Sequence, residues 1–447
     1  MTRRQLLSRT GALVTGVALS NAALRPAAFA ESGPAADFTF TIHETSVELG
    51  PKHTVRTTTY NGQTPGPLVR MTEGKTVMVD VINQTVEPEM LHWHGFNIPP
   101  NVDGAHEEGT PMVMGFSRRR FEFTPQPSGT RWYHTHAMAG HNLTKAGYSG
   151  QFGMAIVEPK NDPGRYDLEV PILLHEWEGF FSADMDMDVD YRVFTINGKM
   201  LGAGEPIRVK KSQRVLFRVL NASATAQHRV ALSGHTFRVI ALDGNPVASP
   251  QSVPVLDLAP GERVDAIVEM TNPGIWVFGE DDNKQRSGGA GIVIEYAGAQ
   301  GQPKWIEPPK YAWDYLTFGT SGGSRPVPAS IVPLVIEPRS DGNLWAINGK
   351  SYPKTDPFFV KPGVVNRLVF DNRSHMGHPV HLHRHTFEIV NYAGKATSGV
   401  FKDVLVVPAM SKVEVDIIAN QPGPSLFHCH QQFHMDFGFM AVMQYGA

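Results

Sequence analysis

Cysteine occurs once in 447 residues, at Cys429, so no internal disulfide can form and no oxidative staple supports the fold. Beyond a short N-terminal leader, no stretch is long and apolar enough to span a bilayer. Lysine and arginine are not clustered and the net charge is −3, which argues against nucleic acid as a partner. Long helical periodicity is also missing, whereas 43 glycines and 34 prolines favour turn-rich β-sandwiches. What is present suffices for a large globular protein. Apolar residues make up 41%, enough for sizeable cores, and the length corresponds to about three domains at the usual ~150 residues each.

The first thirty residues read as an address. Arg3 and Arg4 precede a modest apolar run from Gly11 to Leu24, and Ala28-Phe29-Ala30 forms a small-x-small cleavage site. The expectation is a twin-arginine signal at 1–30, a partner in the twin-arginine export machinery, and a periplasmic or secreted protein. Losing that segment removes four arginines and no acid, taking the net charge from −3 to −7.

Behind the signal the chain repeats itself. Asn61-Gly62, Asn197-Gly198 and Asn348-Gly349 are each followed within nine residues by a proline that opens a strand-like segment. Those segments are PLVRMTEGKTVMVDVIN, PIRVKKSQRVLFRVLN and PFFVKPGVVNRLVFDN. Each alternates apolar and polar residues about a turn-like centre and ends on asparagine, as antiparallel strands do. Three related β domains are expected, over 31–160, 161–298 and 331–447, with 299–330 as a linker.

Histidine carries the chemistry. Four His-x-His pairs occur: His92/His94, His134/His136, His381/His383 and His428/His430. In a strand, residues i and i+2 share a face, so each pair can present two imidazoles to one site. Eight neutral imidazoles suit copper, zinc or iron, and the number is too large for one tetrahedral zinc. Cys429 then discriminates among metals. A thiolate with two histidines makes the trigonal set of a blue-copper centre; His434 lies five residues on, and His378 begins HPVHLHRHTF beside the paired histidines. A buried core thiol is the bland alternative for a lone cysteine, but here histidines flank it on both sides.

In order, HWHG at His92, YHTH at Tyr133, HPVHLHRHTF at His378 and HCHQQFHMDFGF at His428 resemble the three-domain multicopper oxidases, laccases among them, over nearly the whole mature chain. The resemblance implies an all-β fold of three cupredoxin-like Greek-key sandwiches and four copper ions. By it, His378, Cys429 and His434 hold the type 1 copper and His92 and His381 the type 2 copper. His94, His134 and His430 hold one type 3 copper; His136, His383 and His428 hold the other. Electrons from a small aromatic reductant, a phenol or an aromatic amine, would enter at the type 1 site and reduce dioxygen to water at the other three. A cuprous or other metal-ion reductant is the alternative substrate, and a copper-free envelope scaffold of the same fold the alternative role. A monomer is expected.

The middle domain reads as a relic of such a copper domain. HRVALSGHTF from His228 aligns with HPVHLHRHTF from His378, with Ala231 and Ser233 in place of His381 and His383, and Gly279 stands at the cysteine position. His228 and His235 are therefore expected as packed or surface histidines. In domain 1, Thr135 occupies the cysteine position. Asp103 resembles the family's acid near the copper cluster, with a turn aspartate in Asp-Gly as the alternative. Phe439, ten residues after Cys429, falls at the axial position and offers no donor atom. Met440 would point the other way in a strand. His106, His141 and His385 are expected as surface or packed histidines, and the DMDMDVDY run from Asp184 as an exposed edge strand.

Overall fold

Each of the three Asn-Gly pairs makes the same turn. Asn61, Asn197 and Asn348 have φ of 56°, 53° and 50°, and the following glycines 75°, 74° and 80°. Two successive left-handed residues define the type I′ hairpin, for which Asn-Gly is the preferred pair. The asparagine side chains repeat as well. Their Oδ1 atoms accept from the backbone N–H of Thr41, Leu173 and Val335, and their Nδ2 groups donate to the carbonyls of Thr39, Pro171 and Pro333. Gly198 is required sterically too, because a Cβ there would lie 2.1 Å from the Thr64 carbonyl oxygen.

The computed structural model describes residues 34–160, 165–182, 188–321, 325–339 and 344–446. The expected export signal and the first half of the Asp/Met run, 184–187, lie outside them. Among the described residues the strands form three pairs of sheets and one small ribbon: four and four strands between Phe38 and Glu158, six and five between Leu168 and Tyr296, seven and five between Ser330 and Tyr445, and a two-stranded ribbon of Phe180–Phe181 with Val189–Asp190. Helix is confined to short turns such as Gln432–Asp436. In the first sandwich Phe40, Val79 and Phe121 of one sheet pack against Met71, Trp93 and Val157 of the other, the apolar alternation of each strand supplying one face of the core. The second and third sandwiches share one continuous apolar cluster.

The segment 299–330 is more than a linker. Tyr315–Phe318 forms a 3-10 turn, Tyr315 and Phe318 are buried in the shared core, and the Tyr315 hydroxyl donates to Glu262 at 2.5 Å. Its aromatic residues pack where its Gly and Pro content suggested a connector.

Sheet register positions the histidines. Strand His92–His94 pairs antiparallel with Gly129–His134, setting His92 opposite His134. Strand His378–Leu382 pairs antiparallel with Ser425–Cys429, setting His381 opposite His428 and Val380 opposite Cys429.

Candidate metal centre

Eight histidines from the first and third sandwiches meet in one buried cluster. The His92 ring stacks on His383 with centroids 3.9 Å apart, and His94 stacks on His381 at 3.8 Å. His430 lies 5.0 Å from His94 and 5.3 Å from His134, ring to ring. Within-strand alternation explains His92/His94 only. The other strands end at His134, Leu382 and Cys429, so His136, His383 and His430 sit just beyond, where the turning backbone carries them into the cluster.

Sets of potential ligand atoms within 4.8 Å of one another include His92, His94 and His134; His92, His381 and His383; His136, His383 and His428; and His94, His381 and Asp403. Backbone carbonyls orient the rings from behind. Nδ1–H donates to the carbonyl of Asp103 from His92, of Asp403 from His381, of Thr135 from His134 and of Cys429 from His428, at 2.7–2.9 Å. A carbonyl can only accept, so each contact fixes the tautomer and turns a bare Nε2 lone pair inward. His94 is reversed: its Nε2 meets Asp403 Oδ1 at 3.0 Å, leaving Nδ1 as the free atom.

These free atoms test whether a metal fits. Nε2 of His92, His134, His136 and His381, Nδ1 of His94 and both ring nitrogens of His430 are buried without a hydrogen-bond partner. Nε2 of His383 and of His428 face each other at 3.1 Å while their Nδ1 atoms face Asp103 and the Cys429 carbonyl. Opposed lone pairs in a dry interior are unfavourable unless a cation lies among them. Burial also holds the imidazoles of His94, His134, His381, His383 and His428 well below their usual range, with His430 at about 3 and His136 at about 4, so these are neutral and able to ligate. The cluster suits a cation with nitrogen ligands.

The second group consists of His378, Cys429 and His434, all fully buried. Cys429 Sγ is 3.5 Å from Nδ1 of His434 and 3.9 Å from Nδ1 of His378, and those two nitrogens are 3.2 Å apart. Ser374 Oγ lies 2.8 Å from Nε2 of His378 and orients that ring. Trp345 covers both imidazoles, with centroids 4.3 Å from His378 and 4.7 Å from His434. Phe439 faces His378 at 5.2 Å, whereas Met440 packs elsewhere, with Ala105, Leu426 and Met435. Burial pushes the Cys429 thiol up, so a cation must compensate its ionisation.

Acids line the far side of the cluster. Asp103 Oδ2 lies 2.9 Å from Nδ1 of His383 and 3.0 Å from Nδ1 of His92. Glu108 Oε1 is 3.2 Å from the same His383 atom and accepts the Leu426 N–H at 2.6 Å. Burial first, then the Asp103 charge, raises the Glu108 carboxyl well above its ordinary value. Sequence reasoning found Asp103 but missed Glu108, although both lie in the one turn NVDGAHEEG.

It also missed Asp403, which takes both Nη groups of Arg263 at 2.6 Å in addition to His94. Nothing local in FKDVLV marks that residue. The second sandwich brings no histidine pair to a metal site among the described residues. His228, expected as a packed or surface histidine, is buried between the carboxylates Glu176 and Glu280. Burial alone would lower it, but the two carboxylates outweigh burial and hold it at about 10. His235 is half-buried and bonds the Tyr296 hydroxyl. His385 is packed against Tyr445, and His141 meets Phe437 in a tilted ring contact with centroids 4.7 Å apart.

Family models described as multicopper oxidase match residues 41–162, 169–299 and 326–447. A multicopper oxidase of Mycobacterium tuberculosis, MmcO, is 28% identical over 94% of this chain and 89% of its own. A laccase of Pycnoporus cinnabarinus is 26% identical over 98% of this chain and 94% of its own. The crystal structure of a multi-copper oxidase from Pseudomonas thermotolerans shares the fold with a TM-score of 0.74 at 23% identity, covering 92% of this chain and all of that one. Fet3p, a multicopper oxidase that functions in iron import, gives 0.78 at 19% identity over 91% and 90%. Three matched domains in succession, each a cupredoxin-like sandwich and two of them carrying the histidines, make the chain a three-domain, laccase-like member of the multicopper oxidases, oxygen-using oxidoreductases.

Proposed function

We propose that the protein is a laccase that holds four coppers and oxidises phenols or aromatic amines. His378, Cys429 and His434 would hold the type 1 copper; the eight paired histidines would hold the type 2 and type 3 ions as the family resemblance implies. Bound there, copper supplies one-electron acceptance from the reductant and four-electron reduction of dioxygen to two waters.

The observation that carries this reading is covalent. Cys429 lies between His428 and His430, so the thiol site and the histidine cluster are joined through a single residue on either side. The chain's own groups do the rest. Trp345 and Phe439 exclude water from the thiol site, Ser374 fixes the His378 ring, Asp103 orients His383, and Glu108, its carboxyl raised by burial, holds a proton beside it. An aromatic surface supports an organic reductant. Phe181, 40% exposed, lies 6.0 Å from His141 and 5.3 Å from Phe433, ring to ring, and Phe433 precedes His434. The signal expected at 1–30 supports a site of action in the periplasm or outside the cell.

Copper-loaded protein should be blue and should consume one dioxygen for every four phenol oxidations. Turnover of cuprous or ferrous ions well above that of any phenol or arylamine would favour the metal-ion reading. Copper binding without any oxygen consumption would reject both.

A further inference from the structure

The first sandwich contains a counterpart of the thiol site, and its residues are protonatable. Glu89 stands three residues before His92, as His378 stands three before His381. Asn83 and Asn372 each stand nine before the same histidines, and both fold alike, donating Nδ2–H to carbonyls of the following loop. Thr135 between His134 and His136 matches Cys429 between His428 and His430. The two positions are in contact in both sandwiches: Thr135 Oγ1 is 3.2 Å from Glu89 Oε2, where the third domain has sulfur 3.9 Å from imidazole. An acid and an alcohol replace an imidazole and a thiol.

The pair borders the histidine cluster. Gln151 Nε2 donates to the same Glu89 oxygen at 3.0 Å. Thr135 and Gln151 line a cavity of about 30 Å³ whose wall includes His134, His136, His428 and His430, which is room for a water molecule. No lysine or arginine contacts Glu89 among the described residues. The titratable groups facing it are Tyr60 on the adjoining strand and Glu87 on its own loop, and Glu87 is paired with Lys145. Glu89 is only partly covered and follows the exposed residues Val86 to Pro88, so solvent can reach it from the outside. Asp436 approaches the same cavity through Gln432, but two backbone amides and the Gln432 amide hold its carboxylate as an acceptor.

We propose that Glu89 is a proton-relay residue that passes protons from solvent, through the cavity beside Thr135 and Gln151, to dioxygen being reduced at the histidine cluster. The inference rests on the oxygen-reducing reading of that cluster. Each dioxygen takes up four electrons and four protons to become two waters; Glu89 loses a proton inward, regains one from bulk water, and ends unchanged. Its chemistry suits the task. Burial foremost, with the Glu87 charge, raises the carboxyl to about 7 against the pull of Gln151 and Thr135, so both protonation states are populated near neutral pH.

The test uses the copper-loaded enzyme. Glu89→Gln keeps shape and removes the proton. Copper content, blue colour and type 1 potential should stay as in the wild type, while reoxidation of the fully reduced enzyme by dioxygen slows about 100-fold and loses its inflection near pH 7. Wild-type reoxidation with an unaltered pH profile overturns the relay. Should Glu89→Gln fail to load copper, Glu89→Asp serves instead: the withdrawn carboxyl should slow reoxidation at full copper content, and a wild-type rate there overturns the relay equally. Copper-free protein gives an independent reading. The infrared difference between wild type and variant should contain a carboxylic-acid carbonyl band that titrates at about 7, and its absence overturns the proposal. If the wild type itself takes up copper but no oxygen, the parent reading has failed rather than this one.

Discussion

Oδ1 of Asp403 lies 3.0 Å from Nε2 of His94, a residue 309 positions earlier in the chain. The same aspartate accepts from His381 through its backbone carbonyl at 2.7 Å and from both Nη groups of Arg263 through its carboxylate. One side chain from the third sandwich therefore sets a ring of the first, while a cation from the second neutralises it.

Asp403→Asn should release the His94 ring and leave Arg263 and Arg131 with less compensation. Affinity of the histidine cluster for copper should fall by about 10–100-fold, and stability by about 3–5 kcal/mol for a broken buried pair. The blue colour should remain, because His378, Cys429 and His434 are untouched. Metal analysis against graded chelator, with denaturant melts, checks both halves. A cluster of normal affinity would mean that the carboxylate does not orient His94.

Cys429→Ser should abolish the blue absorption and leave copper in the histidine cluster. Quantifying copper beside the visible spectrum decides it, and a serine variant that is still blue would sink the thiol assignment.

Phe439→Met tests the axial position. The ring is fully buried and 5.2 Å from His378, and it offers no donor atom. A thioether there should favour the cupric form, lower the reduction potential, and slow oxidation of the phenols that are hardest to oxidise. Potentiometric titration should show the fall with an unchanged copper count; a potential that rises or stays put would remove Phe439 from the axial role.

His228→Ala should keep full copper content, since its sandwich brings no histidine pair to a metal site. It should still cost about 3–5 kcal/mol, because Glu176 and Glu280 would remain buried without their cation. His228 is held at about 10, above an ordinary histidine near ~6.5. Its stabilisation is thus full below about 6.5 and disappears as pH rises through about 10. Denaturant midpoints of wild type and variant should differ widely at mildly acidic pH and converge at the alkaline end.

Local features were readable from the chain, and long-range ones were not. Asn-Gly turns and His-x-His pairs advertise themselves because neighbours in sequence determine them. Phe439 and Met440 could be told apart by strand alternation, and their side chains do go to different clusters. Asp403, Arg263 and Glu108 escaped because their partners are hundreds of residues away and depend on how the sandwiches dock. His228 escaped for a related reason. Its neighbours in sequence are apolar or neutral apart from Arg229, and both carboxylates that charge it arrive from other strands.

The division of the cluster between the first and third sandwiches has a consequence for biosynthesis. A ribosome releases His92, His94, His134 and His136 long before it reaches His381, His383, His428 and His430, and early domains fold first. The emerging half holds His92, His94 and His134 within ligand range of one another, but the sets that join His92 to His381 and His383, and His136 to His383 and His428, need the third sandwich. The complete cluster therefore exists only after translation is finished and the sandwiches have docked, and its full occupancy becomes a record of finished assembly.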